Sequence, residues 1–502
     1  MSAAGRLSLA PQGRLRQFPR GPTRVPPGVP MMPSPLFRLP ILVLVAAVLG
    51  CDGGGSPSGP SPATASLQVN VTGMPASVPA AVTVIGPAGF SRTVTATTTL
   101  SGLAAGSYEV RAGWVATFDG TYKPAAASQT ATVTGGGTAQ VGVAYTLDAA
   151  AGRDLSQIID SIRRAFDLPA LAGVIVRVDD PVWAWGVAGQ RRVTGGAAAT
   201  LQDLWHLGSN FKAFTSMLAA VAVQRGTIAW TTTMAQAFPE LSGTMRAEYR
   251  DVMLKELLSH QAGLPRDPAT SAIVGATRTQ QRDAVAAWAV TQAPASVKGT
   301  YSYSNLGYMV AGAMIERALG TDFEAAMGER VFGPLGISDA GFGPQATALS
   351  TLQPAAHRLV NGQWQVLEAF DNPPVYSSAG GVHMSAPSWA RFLREVLRVE
   401  AGTATLVTPT VGRVTTTGIV TTGASDTYAM GWAVTSRTWA EGRTLTHSGT
   451  NTGNYSVTWM APLRGFAVLA VTNCYDGTDT ARSSRALDAV ASRLIAFYNT
   501  GR

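Results

Sequence analysis

A change in hydrophobic periodicity near residue 150 is the feature that most restricts the fold of this chain. From about residue 66 to residue 147, apolar residues alternate with polar ones, as in "SLQVNV", and short runs are separated by Gly- and Pro-rich turns. This pattern predicts a small β-sandwich over residues 66–147. From about residue 154 to residue 502, helical and strand patterns mix. The second part is therefore expected to form a separate α+β domain.

The order of elements in residues 154–502 narrows this expectation. A helical pattern, "SQIIDSIRRAF", precedes two strand-like runs, "AGVIVRV" and "VWAWGVA". Near the end, "RTLTHSG", "YSVTWMAP" and "GFAVLAVTN" indicate three consecutive strands before the helix "SSRALDAVASRLIAFYN". We therefore predict an antiparallel sheet flanked by helices, with a long helical insertion between its two halves.

The first 50 residues have the composition of a leader and signal peptide. The apolar run "LPILVLVAAVLGC" after Arg38 is too short to cross a bilayer and has the length of a signal h-region. Met31 or Met32 is an alternative start, because the preceding residues show no core-forming pattern. The end of the run, "VLGC", resembles the lipobox of bacterial lipoproteins, which implies lipidation of Cys51 and anchoring in the cell envelope on the periplasmic side. An ordinary signal peptide remains the alternative.

Residues 51–65, which are rich in Gly, Ser and Pro, are expected to form a flexible tether. Six arginines and no acidic residue lie before residue 51, so they account for six units of the formal net charge of +8. The rest of the chain is close to neutral, and the sequence does not indicate a nucleic-acid surface. Cys474 is the only other cysteine, so a lipidated Cys51 leaves no intramolecular disulfide. No dense His, Cys and carboxylate cluster and no Gly-rich phosphate loop is found, so no metal and no cofactor are expected.

The stretch "LWHLGSNFKAF" contains Ser209 and Lys212, one of four lysines in the chain. Ser209 could be a simple helix cap, but a cation at the start of a helix is opposed by the helix dipole. Local rules of this kind are broken most often at functional sites. One turn of helix places the two side chains on one face, and the positive end of the helix, helped by burial, would lower the pKa of Lys212 so that its neutral amine can accept a proton. An arginine could not do this.

Two further stretches carry polar side chains at element ends. "YSN", residues 303–305, comes just before a helical run that ends at Gly320, and Ser304 or Asn305 could serve only as its cap. "HSG", residues 447–449, ends a predicted strand, where a lone histidine is more often structural. Each stretch on its own is a weak signal.

Together and in this order, the three stretches resemble the active-site signature of the serine β-lactamase and penicillin-binding-protein superfamily. Ser-x-x-Lys matches directly, Tyr-Ser-Asn stands where other members have Ser-Asp-Asn, and His-Ser-Gly stands where many have Lys-Thr-Gly. "LLSHQAGLP", "SSAGGVHMSAPSWARFL" and "YAMGW" resemble later landmarks of the class C β-lactamase-like branch, which includes D-alanyl-D-alanine carboxypeptidases, D-aminopeptidases and esterases. The resemblance extends over nearly all of residues 155–500 and implies a β-lactamase/transpeptidase-like fold.

The resemblance implies a role for each motif residue. Ser209 is the nucleophile that forms an acyl-enzyme, and Lys212 and Tyr303 share the proton transfer, with either one as the base. Asn305 holds the substrate amide and orients Lys212. The substrate-binding strand is formed by His447, Ser448 and Gly449, and the backbone N–H groups of Ser209 and Thr450 form the oxyanion hole. His206 and His260 are expected to be structural, and His357 and His383 receive no role.

The substrate expectation rests on His447. Where relatives have a lysine, a permanent cation helps to receive a carboxylate, whereas an imidazole with an ordinary pKa of about 6.5 is mostly neutral at neutral pH. Esters, or peptides without a free terminal carboxylate, are therefore expected to be better substrates than β-lactams or D-alanyl-D-alanine termini. Carboxylate-bearing substrates are expected to improve as the pH falls toward about 6.

Three functions remain open: an active ester or amide hydrolase, a catalytically silent sensor that binds peptidoglycan or peptide, and a scaffold whose β-sandwich does the binding. A β-lactamase or a D-alanyl-D-alanine carboxypeptidase is the main alternative within the first class. The β-sandwich is expected to be a spacer, with binding of glycan, protein or cell wall as its alternative.

Overall fold

The structure of the protein is a computed structural model. It describes residues 65–76, 78–117, 120–148, 153–346, 352–477 and 482–500. The predicted leader, Cys51 and the tether as far as residue 64 lie outside the described residues. The α+β fold class predicted from the sequence is confirmed.

The N-terminal unit is built from strands whose apolar residues point inward. Its two sheets have the strand orders β4-β1-β9-β7-β6 and β3-β2-β5-β8. Alternate residues such as Leu67 and Val69 are fully buried, as the period of two predicts. The strands are β1 Ala65–Thr72, β2 Val82–Ile85, β3 Ser91–Val94, β4 Thr98–Leu103, β5 Gly106–Ala112, β6 Val115–Thr117, β7 Gly120–Pro124, β8 Ser128–Val133 and β9 Thr138–Asp148.

The second unit is organised around one antiparallel sheet. Its strand order is β11-β10-β22-β21-β20-β19-β18-β17, so strands from both ends of the unit meet at its centre. The three consecutive strands predicted near the C-terminus are β20, β21 and β22, and they pair in order. These strands are β10 Ala170–Arg177, β11 Ala184–Gly189, β17 Val420–Thr421, β18 Thr427–Tyr428, β19 Ala433–Arg437, β20 Gly442–Thr450, β21 Tyr455–Ala461 and β22 Phe466–Thr472.

Two small sheets lie beside the main one, in the orders β12-β16-β13 and β15-β14-β23. They bring distant segments of the chain together, because β12 lies just before the predicted nucleophile and β16 follows about 180 residues later. Their strands are β12 Leu204–His206, β13 Gly341–Phe342, β14 Ala356–Val360, β15 Gln363–Leu367, β16 Val382–Ser385 and β23 Cys474–Tyr475.

Helices cover the main sheet and form the predicted insertion. α1 and α11 pack on one face of the sheet, and α9 packs on the opposite face. Among the described residues, no helix combines the length and the apolar character that crossing a membrane requires. The helices are α1 Ser156–Ala165, α2 Lys212–Gln224, α3 Met234–Ala237, α4 Ala247–Arg250, α5 Leu254–Leu258, α6 Arg278–Ala289, α7 Asn305–Leu319, α8 Phe323–Met327, α9 Ala386–Ala401, α10 Pro409–Thr416 and α11 Arg482–Thr500.

Close backbone contact joins the start of α2 to the end of β20. Gly208 has a φ of +53°, and a Cβ placed on it would lie 2.4 Å from the backbone nitrogen of Thr450. A Cβ on Gly449 would lie 2.1 Å from the carbonyl oxygen of Leu207 and 2.7 Å from the nitrogen of Ser209. Only glycine allows both approaches. The two glycines therefore hold two of the predicted motifs side by side.

Candidate active site

Ser209 lies in the 3-10 turn Gly208–Phe211, which connects β12 to α2. His206 fixes this turn: its Nδ1 accepts a hydrogen bond from the Gly208 backbone at 3.1 Å, and its Nε2 lies 3.2 Å from Asp371 Oδ2. His206 is therefore structural, as the sequence predicts. Asp371 was missed by sequence reasoning, because nothing in a single sequence links it to a residue 165 positions earlier.

Lys212 is the first residue of α2, and its side chain has no solvent-exposed surface. Its Nζ lies 3.0 Å from Ser209 Oγ, 2.8 Å from Asn305 Oδ1 and 2.6 Å from the carbonyl oxygen of Ala379. Burial lowers the pKa of Lys212 well below its ordinary range, while Asp267 opposes and Arg266 assists this shift. The amine is therefore available in its neutral form much nearer to neutral pH than that of an exposed lysine.

The partners of Lys212 define what a neutral amine would do there. The carbonyl oxygens of Asn305 and Ala379 can only accept, so they take the two N–H groups of a neutral amine. The lone pair of that amine then faces the hydroxyl of Ser209, which is within hydrogen-bond distance. This arrangement can remove the proton from the nucleophile.

Tyr303 contacts the other side of the Ser209 hydroxyl, and its phenol lies 2.8 Å from Ser209 Oγ. Burial raises the pKa of Tyr303 to about 12, and the hydrogen bond to Ser209 only partly offsets this. Tyr303 is therefore a neutral phenol at physiological pH and acts as a donor. Of the two bases left open by the sequence, the geometry and the direction of both pKa shifts favour Lys212.

Asn305 begins α7, and the side chain of Ser304 caps this helix by accepting from the nitrogen of Gly307. The Oδ1 of Asn305 accepts from Lys212, in agreement with the expected orienting role. Its Nδ2, however, donates to Asp267 Oδ1 at 2.8 Å, so the amide nitrogen expected to hold the substrate already has a partner. Asp267, which directly follows the motif "LLSHQAGLP" and Arg266, was not identified from the sequence.

His447 lies on β20, and its side chain is 7% exposed. Its Nδ1 lies 2.6 Å from the carbonyl oxygen of Ser448 and its Nε2 lies 3.0 Å from the hydroxyl of Tyr428. A neutral ring with its proton on Nδ1 satisfies both contacts, because Tyr428 can donate to Nε2.

Burial, together with the nearby Lys212, lowers the pKa of His447 to about 3. The expectation that acidification toward about pH 6 would charge this residue is therefore wrong. The reason is that sequence reasoning gave the imidazole its solution pKa, whereas the folded chain removes the ring from water. Tyr428, which supplies the second partner, lies in the stretch "YAMGW" that had been noted only as a landmark.

The end of β20 lies directly against the nucleophile turn. The close approaches at Gly208 and Gly449 bring the segments that carry the backbone nitrogens of Ser209 and Thr450 into direct contact. Two converging N–H groups are the arrangement that stabilises the oxyanion of an acyl-transfer intermediate. Ser448 is partly exposed at this point and lines the cavity.

A cavity of about 650 Å³ opens from Ser209. Within the described residues, no group of three or more His, Cys, Asp or Glu side chains could hold a metal ion. The charged residues that line the cavity are Arg266, Asp426 and Arg437. Its aromatic lining consists of Tyr301, Tyr303, Tyr428, Tyr455, Trp459 and Tyr475. The cavity can therefore receive a large organic substrate beside a serine nucleophile.

The fold and the serine–lysine–tyrosine arrangement define a β-lactamase/transpeptidase-like protein. A family model described as Beta-lactamase matches residues 155–492, which is more than half of the chain. The chain belongs to the beta-lactamase family, and the predicted membership of the serine β-lactamase and penicillin-binding-protein superfamily is confirmed.

Solved structures of similar fold each align with 67% of this chain. SurE shares 21% identity with a TM-score of 0.55 and is covered over 74% of its length. A class C beta lactamase from Rhodobacter sphaeroides shares 20% identity with a TM-score of 0.54 and is covered over 98%. An octameric penicillin-binding protein homologue from Pyrococcus abyssi shares 16% identity with a TM-score of 0.54 and is covered over 76%. These likenesses concern the fold.

Curated relatives include two fungal hydrolases. An unguisins hydrolase from Aspergillus violaceofuscus is 24% identical over 259 residues, and one from Aspergillus campestris is 23% identical over 254 residues. The matches cover 48% and 49% of this chain and 44% and 47% of the two relatives. The chain thus spans less than half the length of these relatives.

Proposed function

We propose that the protein is a serine hydrolase that cleaves an ester or an amide through an acyl-enzyme on Ser209. The observation that carries this proposal is the position of the Ser209 hydroxyl between two groups, with Lys212 Nζ at 3.0 Å and the Tyr303 hydroxyl at 2.8 Å. The family and the hydrolase names of its curated relatives support the general class.

In the proposed acylation step, the neutral amine of Lys212 takes the proton of Ser209 while Oγ attacks the carbonyl carbon. The negative charge on the carbonyl oxygen is stabilised by the backbone N–H groups of Ser209 and Thr450. When the bond to the leaving group breaks, that group receives a proton from the ammonium of Lys212 or through the phenol of Tyr303. Water, activated by the same amine, then attacks the acyl-enzyme and releases Ser209.

We infer that esters and peptides without a carboxylate next to the scissile bond are preferred over β-lactams and D-alanyl-D-alanine termini. A neutral His447 with both ring nitrogens engaged offers no cation at the position where many relatives have a lysine. The ratio of ester hydrolysis to cephalosporin hydrolysis should therefore stay constant between about pH 5 and 8, because a pKa of about 3 lies below this range. His447→Lys should raise the relative activity on the cephalosporin.

The protein is further proposed to act on the periplasmic side of a bacterial envelope, anchored through a lipidated Cys51. The support for this is the sequence "VLGC" after a short apolar run. A β-lactamase, a D-alanyl-D-alanine carboxypeptidase and a catalytically silent peptidoglycan sensor are the competing functions.

Covalent labelling by a fluorophosphonate separates an active enzyme from a silent one. Wild-type protein should be labelled stoichiometrically and should hydrolyse a nitrophenyl ester, whereas Ser209→Ala should do neither. Ser209→Ala removes only a hydroxyl, so its thermal unfolding should remain close to wild type and serves as the control for folding. If a folded wild-type protein is not labelled, the result would favour the catalytically silent peptidoglycan sensor over an active hydrolase.

A further inference from the structure

The cavity continues past the nucleophile onto one face of the main sheet. Strand neighbours in register lie on the same face, and Thr446 on β20 pairs with Trp459 on β21 and with Ala433 on β19. Residues two apart on a strand share a face, so Ser448 and Thr446 point to the same side. The residues Thr435, Arg437, Thr446 and Trp459 form what we call the distal groove, and all four line the cavity that contains Ser209.

The register also gives the distance of the distal groove from the nucleophile. Gly449, which contacts the nucleophile turn, is three positions along β20 from Thr446, and Trp459 lies directly opposite Thr446. At a rise of about 3.4 Å per residue, the level of Thr446 and Trp459 lies about 10 Å along the strand direction from Gly449, beside the nucleophile turn. An extended peptide needs about three residues to cover this distance.

Arg437 places a positive charge in the distal groove. Its guanidinium carbon lies 5.3 Å from the centre of a ring of Trp459. One of its terminal nitrogens donates to Thr435 Oγ1 at 2.9 Å and to the carbonyl oxygen of Ser436 at 2.8 Å. These partners are neutral, and no carboxylate forms an ion pair with Arg437 in the part of the chain that the structure describes.

Two polar N–H groups of the distal groove also lack a partner among the described residues. They are the buried Nε of Arg437 and the Nε1 of Trp459, whose side chain is 4% exposed. The other two charged residues of the cavity are Arg266, which lies beside the ring of Tyr303, and Asp426, which directly precedes Thr427, the β18 residue paired with Val434. Asp426 forms no ion pair with Arg437 among the described residues. Because these two N–H groups are buried, the donor suited to receive an anionic oxygen is the second terminal nitrogen of Arg437, which no described residue engages.

We propose that the distal groove binds a carboxylate of the substrate, and that the substrate is a peptide or peptide-like ester whose acidic group lies about three residues from the scissile carbonyl. This inference rests on the proposed serine hydrolase function and specifies its substrate class. Enzymes with a lysine at the position of His447 can hold a carboxylate next to the scissile bond. In this chain a neutral His447 takes that position, and the cation Arg437 lies farther along the sheet.

Two series of synthetic substrates test the inference in full-length protein. In the first, the p-nitroanilides of succinyl-trialanine and of succinamoyl-trialanine differ only in a terminal carboxylate or carboxamide on the acyl side. In the second, depsipeptides with a terminal carboxylate or carboxamide three residues beyond the scissile ester differ only on the leaving-group side. The wild type should favour the carboxylate member of one series by about tenfold in kcat/KM, the lower end of what a charge-assisted hydrogen bond contributes.

Arg437→Gln should abolish this preference, and Arg437→Lys should keep part of it. Arg443→Gln is the matched control, because Arg443 lies on β20 with its side chain on the opposite face, paired with Glu400 at 2.8 Å, and its loss removes the same charge outside the cavity. The control should keep the full preference.

The outcomes distinguish the inference from the function on which it rests. Turnover of the neutral members without a carboxylate preference in either series overturns the inference and leaves the hydrolase intact. A preference that survives Arg437→Gln also overturns it. If the protein is neither labelled by the fluorophosphonate nor able to turn over any substrate, the serine hydrolase proposal is contradicted, and the inference that rests on it fails as well.

Discussion

Replacing Lys212 by methionine, and separately Tyr303 by phenylalanine, decides which side chain removes the proton from Ser209. Methionine preserves the volume of the buried lysine stem and deletes the amine, whereas phenylalanine deletes one hydroxyl. If Lys212 is the base, its loss should lower kcat/KM by about 10²–10⁴-fold, the usual contribution of general-base catalysis. Loss of the Tyr303 hydroxyl removes one hydrogen bond to an oxygen that becomes charged, worth about 1.5–3 kcal/mol or about 10- to 100-fold.

The pH dependence of kcat/KM distinguishes the two candidate bases more sharply than the size of the loss. The pKa of Lys212 is lowered by burial, so the fraction of neutral amine, and with it kcat/KM for a nitrophenyl ester, should rise with pH through that lowered pKa. Tyr303 keeps its proton until about pH 12 and contributes no rising limb below that value. Tyr303→Phe should therefore retain the rising limb, and Lys212→Met should lose it.

The folding of each variant must be checked before its activity is interpreted. Thermal unfolding of each variant shows whether the loss of activity reflects the site, because methionine leaves the acceptors Asn305 and Ala379 without their donor. Disappearance of the rising limb in a folded Tyr303→Phe protein, with its persistence in Lys212→Met, would refute Lys212 as the base.

Three further outcomes follow from the structure. Gly449→Ala should lower kcat strongly while the circular dichroism spectrum is preserved, because its Cβ would lie 2.1 Å from the carbonyl of Leu207 and push the strand away from the nucleophile turn. Arg282→Ala should reduce the free energy of unfolding in urea by about 3–5 kcal/mol, since it removes the ion-pair partner of the buried Glu316 and the nearer of the two partners of the partly buried Glu324. The exposed Arg246→Ala should cost at most about 1 kcal/mol. Membrane fractions should contain the wild type and not Cys51→Ser, and soluble wild type after export would contradict the lipid anchor.

The sequence by itself determined the features that depend on neighbours along the chain. The period of two up to residue 147 and the mixed pattern after it gave the fold class, because side-chain alternation is set by strand and helix geometry. The contact between Ser209 and Lys212 was also predictable, since residues three apart on one helical turn lie on the same face. Ser304 as the cap and Gly320 as the end of α7 are local in the same sense.

Only the tertiary structure decided the properties that depend on what surrounds these residues. The carbonyl of Ala379, 167 positions away, reaches Lys212, and Asp267 takes the amide nitrogen of Asn305. The solution pKa assumed for His447 failed for the same reason, because burial penalises the charged imidazole by an amount that the residue type does not reveal.

The position of Arg437 depends on both kinds of information: strand alternation, which the sequence provides, and register, which only the tertiary structure provides. The sequence gives the alternation of each strand, which fixes the face once a register is known. The register itself follows from the packing of β19, β20 and β21 against one another and against the helices. That packing places a guanidinium with no ion-pair partner among the described residues in the same cavity as Ser209. The register is selected by burial of the whole apolar core, because no local pattern distinguishes one register from another.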